Sequence, residues 1–159
     1  MVEIKKVTEQ SADILFELIM EMAAHENETH EVANNPELIR QNLVQGDQAQ
    51  AYLIYMDGQA VGYFIYFYTY SSYVGKKNIY IEDIFIRRAI RKSGLGRMVL
   101  AYVCAIAKRE GCARVDWTCL DWNTNAVEFY RHMGAKHLKE RYYFRFEEEQ
   151  IARLAGEFD

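Results

Sequence analysis

Six consecutive residues, Arg91-Lys92-Ser93-Gly94-Leu95-Gly96, have the makings of an anion cradle. An apolar run, Ile79 to Ile86, precedes them, and an amphipathic one, Leu95 to Lys108, follows. Strand, glycine loop and helix start, in that order, suit a phosphate. The first N–H groups of a helix lack intrahelical acceptors and sit at the positive end of its dipole. Glycine lets that backbone come close to the anion. The spacing Arg-x-x-Gly-x-Gly lacks the Gly-Lys-Ser/Thr ending of a Walker loop. It also lacks the third glycine and the later acidic residue of the dinucleotide fingerprint. A pyrophosphate carried by some other molecule is therefore the expected ligand.

Such a loop works only if the surrounding elements hold it. Val2 to Val7 alternates apolar and polar residues and reads as a strand. Ser11 is placed to cap a helix whose apolar face is Ile14, Leu15, Leu18, Ile19 and Met22. Asn35 and Pro36 form a cap and first-position pair for a short helix with Leu38, Ile39 and Leu43. Gln50 to Met56 and Gln59 to Tyr68 read as strands joined at Asp57-Gly58, followed by a loop from Ser71 to Asn78. Ile79 to Arg87 is the strand before the glycine loop. The helix after it should bury Met98, Val99, Tyr102, Val103 and Ile106 and end at Gly111. Arg114 to Leu120 reads as a strand, and Asn123 as the cap of a helix bearing Ala126, Val127, Phe129, Tyr130 and Met133. His137 to Phe146 is rich in strand formers, and Glu147 to Phe158 reads as a short terminal helix. The order β, α, α, β, β, β, α, β, α, β predicts an α/β chain of the α+β kind, with a mixed sheet flanked by helices.

Bulk properties narrow the function. At 159 residues, 50% hydrophobic and 26% charged, residues 1–159 read as a single domain. A net charge of -4 with no dense basic patch argues against a nucleic-acid partner. No leader or membrane-spanning run is visible, so no membrane partner is expected. Cys104, Cys112 and Cys119 are odd in number and fit no zinc spacing, which points to reduced thiols in a cytoplasmic setting. His25, His30, Glu26, Glu28 and Glu31 read as a solvated acidic face, and no metal is expected.

With this element order, the glycine loop resembles the pyrophosphate loop of the GNAT superfamily of N-acetyltransferases. Tyr80-Ile81-Glu82-Asp83-Ile84-Phe85-Ile86 and Leu120-Asp121-Trp122-Asn123 are similar to segments of one branch, the diamine (spermidine/spermine) and thialysine N-acetyltransferases. So are Phe129-Tyr130-x-x-Met133-Gly134-Ala135 and Ala152-Arg153-Leu154-Ala155-Gly156. The resemblance implies the GNAT fold, a central twisted mixed sheet, and a homodimer. It implies acetyl-CoA as co-substrate and the primary amine of a small molecule as acceptor, namely a diamine, polyamine or thialysine-like compound. It places Arg91, Lys92, Ser93, Gly94, Leu95, Gly96 and Arg97 on the pyrophosphate. Ile84, Phe85 and Ile86 map onto the strand backbone that pairs with pantetheine, and Asn123, Ala126 and Tyr130 onto further cofactor contacts. Glu26, Glu82, Asp83, Asp116, Trp117, Thr118 and Glu140 map onto the amine side. Lys92 stands where the family often has glycine.

The chemistry explains these residue types. A primary amine titrates at about 10 and must lose a proton before it attacks a thioester. Glu82, on the strand leading into the loop, is the candidate base, directly or through one water. A backbone N–H on that strand, with Ile84 the first candidate, could stabilise the oxyanion of direct attack in a ternary complex. Tyr130 is the candidate acid for the leaving thiolate by its place in the family motif; helical spacing alone favours a core tyrosine. Two rival readings share the fold: acetylation of a protein or peptide amine, and a non-catalytic acyl-CoA sensor.

Overall fold

A computed structural model describes residues 1–158, which fall into two compact units that meet at residues 118 and 119. The first unit is built on a five-stranded mixed sheet in sequential order. Its strands are β1 (Val2–Lys6), β2 (Gln50–Met56), β3 (Gln59–Ser71), β4 (Lys76–Ile86) and β5 (Val115–Trp117). β1 through β4 run antiparallel, and β5 lies parallel to β4 after the crossover helix α3 (Leu95–Arg109). Asp57 and Gly58, both at positive φ, make the tight turn between β2 and β3.

Helix α1 (Ala12–His25) buries Leu15, Leu18 and Ile19 against Ala51, Leu53, Tyr63, Ile65 and Phe85 of the sheet. Each such aliphatic side chain contributes roughly 1.5–3 kcal/mol. Ser11 sits at the start of α1, but its hydroxyl turns back and accepts from the Thr8 N–H at 2.8 Å, so it does not cap the helix through its side chain. Asn35 does cap α2 (Pro36–Ile39), accepting from the Leu38 N–H at 2.9 Å. A π-type turn, Arg40–Gln45, extends α2.

The β3–β4 hairpin is longer than its sequence pattern indicates. Pairing runs out to Ser71 opposite Lys76, so much of the expected 71–78 loop is strand. Helix α3 buries Leu95, Val99, Leu100, Val103 and Ile106. Met98 and Tyr102, expected inside, are 38% and 37% exposed. They flank the central apolar stripe, and Tyr102 meets Tyr52 and Phe64 of the sheet edge-on.

The second unit carries α4 (Thr124–His132) and α5 (Glu148–Gly156). The expected last strand, His137 to Phe146, is irregular. Tyr142, Tyr143 and Phe144 are exposed, and the backbone bonds recorded there are local ones such as Lys139 N–H to the His137 carbonyl. Strand propensity reflects fit to a pleated surface, and without a neighbouring strand these residues gain no ladder.

Gly62 shows how tightly β3 and β4 approach. A Cβ there would stand 2.3 Å from the Phe85 carbonyl oxygen, which is backbone and cannot swing aside. Gly62→Ala is expected to destabilise the fold by about 1–3 kcal/mol, read as a lower Tm. Gly75→Ala, in open space with only a positive φ to strain it, should cost about 1 kcal/mol.

Candidate functional site

β4 is the element that aims the candidate site. Ile65 pairs with Asp83 but Tyr66 pairs with Ile81, so Glu82 is an extra residue in a β-bulge. Before the bulge the Ile79 N–H donates to the Arg114 carbonyl beside β5. After it the Arg87 N–H donates to the Val61 carbonyl on β3. Backbone groups alternate along a strand, so Asp83 and Phe85 face β3 with Arg87, and Ile84 and Ile86 face the opposite side. On that side β5 stops at Trp117, level with Ile81, while β4 continues to Ile86. The bulge therefore turns the backbone of Ile84 and Ile86 toward an open edge. Arg91 confirms this geometry, because its Nε donates to the Ile86 carbonyl at 3.0 Å.

The open edge leads into the glycine loop. Arg87, the residue just after β4, is tied to α1 through Glu21, with Nη2–Oε1 at 2.6 Å and Nε–Oε2 at 2.9 Å. A 3-10 turn, Arg88–Ile90, then delivers the chain to residues 91–94, all exposed. Gly94 begins α3 in the left-handed region, φ 82°, with no side chain to cap the helix. The first intrahelical bond is Met98 N–H to the Gly94 carbonyl, so the N–H groups of Leu95 and Gly96 lie ahead of the helix's own hydrogen-bond ladder. Lys92 also has a left-handed φ, 69°. Glycine would take that conformation freely, and lysine holds it at roughly 1–2 kcal/mol. The backbone thus keeps the shape expected of a glycine and adds a cation beside the first N–H groups of α3. These features fit a pyrophosphate.

An acidic group adjoins the bulge. Glu82 is exposed, while Asp83 is half-buried, with Oδ2 accepting from the Tyr63 hydroxyl at 3.0 Å. Burial drives the Asp83 carboxyl up to about 6; the Tyr63 hydrogen bond opposes that rise, and Glu82 and Glu26 add to it. Glu26, at the end of α1, is also raised, by burial and then by Glu28. His25 beside it is lowered, by burial and then by Arg91 and Arg88. Three carboxylates, Glu26, Glu82 and Asp83, therefore share one electrostatic neighbourhood, with the cationic loop close to its border. Such a set suits an ammonium ligand. Asp116 and Trp117 lie on β5 opposite Tyr80 and Ile81, and Thr118 follows.

Four expected site residues belong to the second unit. Asn123 caps α4, its Oδ1 accepting from the Ala126 N–H at 3.3 Å. Tyr130, on α4, has its hydroxyl pushed up to about 12 by burial and then by Cys119. Glu140 is exposed. The sequence reading missed the bulge and the hydrogen bond from Tyr63 to Asp83. An alternating aromatic strand hides a tyrosine that serves a carboxylate, and register is a property of two strands.

The acetyltransferase (GNAT) family model matches residues 13–135. The chain belongs to the GNAT acetyltransferase family. The family takes acetyl-CoA as co-substrate. A mouse thialysine N-epsilon-acetyltransferase is 31% identical over 165 residues, 96% of each chain. An Arabidopsis thaliana L-ornithine N5-acetyltransferase is 42% identical over 84 residues, and the match covers 53% of this chain but only 37% of that protein. A solved integron cassette protein from Vibrio cholerae's mobile metagenome superposes with a TM-score of 0.79 at 23% identity, over 97% of each chain, which supports the fold alone. Among the described residues no cluster of metal-binding side chains occurs, and no helix is long and apolar enough to cross a membrane.

Asp83 lends itself to a stability test. Its folded value, about 6, lies above the unfolded value of 3.8. The ionised form is thus penalised in the fold, fully above pH 6, and the penalty fades as pH falls toward the unfolded value. Asp83→Asn, which keeps an oxygen for the Tyr63 hydroxyl, should stabilise the GNAT domain at pH 7.5. That gain should shrink toward zero at pH 4, measured by denaturant unfolding at both values.

Proposed function

We propose that this GNAT protein transfers the acetyl group of acetyl-CoA to a primary amine of a small diamine, polyamine or thialysine-like substrate. The observation that carries this reading is the carboxylate pair Glu82 and Asp83 at the bulge of the strand whose open edge leads into the glycine loop, with Glu26 at the end of α1 acting on Asp83. Carboxylates next to a positively charged loop give opposite preferences at short range, for an ammonium group and for a pyrophosphate. The names of the thialysine and ornithine relatives support the same substrate class.

The N–H groups of residues 94–97, with Lys92, hold the pyrophosphate. The open edge of β4 at Ile84 and Ile86 pairs with the extended pantetheine arm, and the family resemblance assigns Asn123 and Ala126 to the cofactor as well. Acetyl-CoA supplies an activated thioester. Glu82, exposed on the bulge, takes the proton of the substrate ammonium, directly or through one water. The freed amine forms the new C–N bond as the C–S bond breaks. The Ile84 N–H donates toward the acetyl oxygen, where negative charge grows. Tyr130 gives its proton to the departing thiolate, and the second proton that the nitrogen sheds on becoming an amide passes through solvent to restore the Tyr130 hydroxyl. A hydroxyl titrating at about 12 remains protonated at neutral pH, as an acid must. Asp83 and Glu26 pair with the second cationic group of the substrate, with Asp116, Trp117, Thr118 and Glu140 completing the amine side. Free thiols at Cys104, Cys112 and Cys119 fit a cytoplasmic setting, and the branch resemblance supports a homodimer.

Thiol release from acetyl-CoA should be measured with putrescine, spermidine, spermine, thialysine, ornithine, lysine and a peptide amine. Turnover of a small diamine or thialysine-like compound well above the peptide is expected; turnover of the peptide alone would overturn the substrate class. Glu82→Gln and Tyr130→Phe should each lower kcat by about 10²–10⁴ with acetyl-CoA binding retained. Unchanged kcat in both would overturn the assigned roles.

A further inference from the structure

Tyr63 is fully buried, and its ring packs among the residues that α1 covers. Phe85 lies 6.1 Å away, centroid to centroid. A core tyrosine ordinarily sends its hydroxyl to a backbone carbonyl or to water. This one reaches Met22 Sδ at 3.4 Å and Asp83 Oδ2 at 3.0 Å. A phenol has one proton to give, and a carboxylate accepts far more strongly than a thioether, so the proton goes to Asp83. Burial, followed by the Asp83 charge, holds the Tyr63 hydroxyl well above its ordinary value, so it remains a donor throughout the working range.

We propose that Tyr63 is a positioning residue: its rigid, core-anchored hydroxyl ties up Asp83 Oδ2, fixes the carboxyl rotamer beside the bulge, and keeps Asp83 ionised for the second ammonium group of the substrate. The inference rests on the diamine reading above. Asp83 follows the bulge, where strand alternation is broken, so its own backbone does not fully set its direction. Tyr63 supplies that constraint from the neighbouring strand. Its side chain has only two torsions, and the core fixes them, so the hydrogen bond costs little ordering.

The charges acting on Asp83 come from two sides. Glu82 on β4 and Glu26 at the end of α1 both favour its neutral form, and the Tyr63 hydrogen bond opposes them. His25, also on α1, is influenced by Arg88 and Arg91 of the cofactor side. The proton affinity of Asp83 is therefore set by a balance with opposite signs that two conservative variants can separate. Tyr63→Phe removes the opposing hydrogen bond and keeps the ring. Glu26→Gln removes a like charge.

The test is a carboxyl ¹³C NMR titration of aspartate-labelled protein, with Asp83 assigned by Asp83→Asn. It is run alongside kcat/KM against pH for a diamine and a monoamine of equal length. In wild type the Asp83 midpoint should lie near 6. Tyr63→Phe should move it up and Glu26→Gln down, each by roughly half a unit or more. The acidic limb of kcat/KM for the diamine should move with it in the same directions. At pH 5.5 Tyr63→Phe should lose roughly 2.5-fold or more in diamine kcat/KM, mostly through KM. The monoamine should be little affected. A merely structural tyrosine would lower stability and leave both midpoints in place, which would overturn the inference. Movement of the NMR midpoint without the diamine limb would overturn the positioning role. Should Tyr63→Phe fail to fold, the ¹³Cζ resonance of Tyr63 in wild type decides the point: it should step at the Asp83 midpoint, and a flat signal overturns the proposal. If wild type turns over no diamine at any pH, the parent reading falls by that result alone, and the titrations still decide whether Tyr63 controls Asp83.

Discussion

One extra residue in β4 organises the candidate site. A strand presents its backbone groups alternately to its two neighbours, and Glu82 breaks that alternation once. Up to Ile81, β4 turns its odd-numbered backbone groups toward β5, and without the bulge Asp83 and Phe85 would go on facing that side. Beyond it Ile84 and Ile86 turn toward the side that β5 no longer occupies. The same irregularity holds Glu82, exposed, next to Asp83, half-buried against Tyr63. An open backbone edge and a pair of carboxylates thus come from a single local irregularity.

The rest of the first unit keeps that irregularity in place. Gly62 on β3 lets the partner backbone come close to the Phe85 carbonyl. Tyr63 holds the carboxylate after the bulge, and α1 closes over both through Leu15, Leu18 and Ile19. The Arg87–Glu21 pair joins the end of β4 to α1 just ahead of the anion loop. Lys92 holds a backbone shape more natural for glycine, and ionised Asp83 sits in surroundings that favour its neutral form. Strain and unfavourable charge concentrated in one region are what a binding site asks of a fold, with the stable core absorbing the cost.

Much of the fold was legible in residue patterns. Helix spacing marked α1 and α3, Asp57-Gly58 marked the hairpin, and Asn35-Pro36 and Asn123 marked helix starts. Each of these is a local preference, decided by torsions and hydrogen bonds within a few residues. Patterns failed where a partner decides the outcome. The 137–146 segment has the composition of a strand but no ladder, Ser11 spends its hydroxyl on Thr8, and Met98 and Tyr102 sit at the rim of their stripe.

The same division runs through the site. The chain by itself determined the shape of the glycine loop ahead of α3, because glycines before a helix start act through their own backbone. It also determined which residue types could handle an amine and a thioester. Only the tertiary structure decided that Glu82 is a bulge, that Ile84 and Ile86 face an open edge, and that Tyr63 donates to Asp83. Those facts depend on the register between β3 and β4 and on what α1 buries. Register and burial are set by contacts between residues far apart in the chain, and no local pattern encodes them.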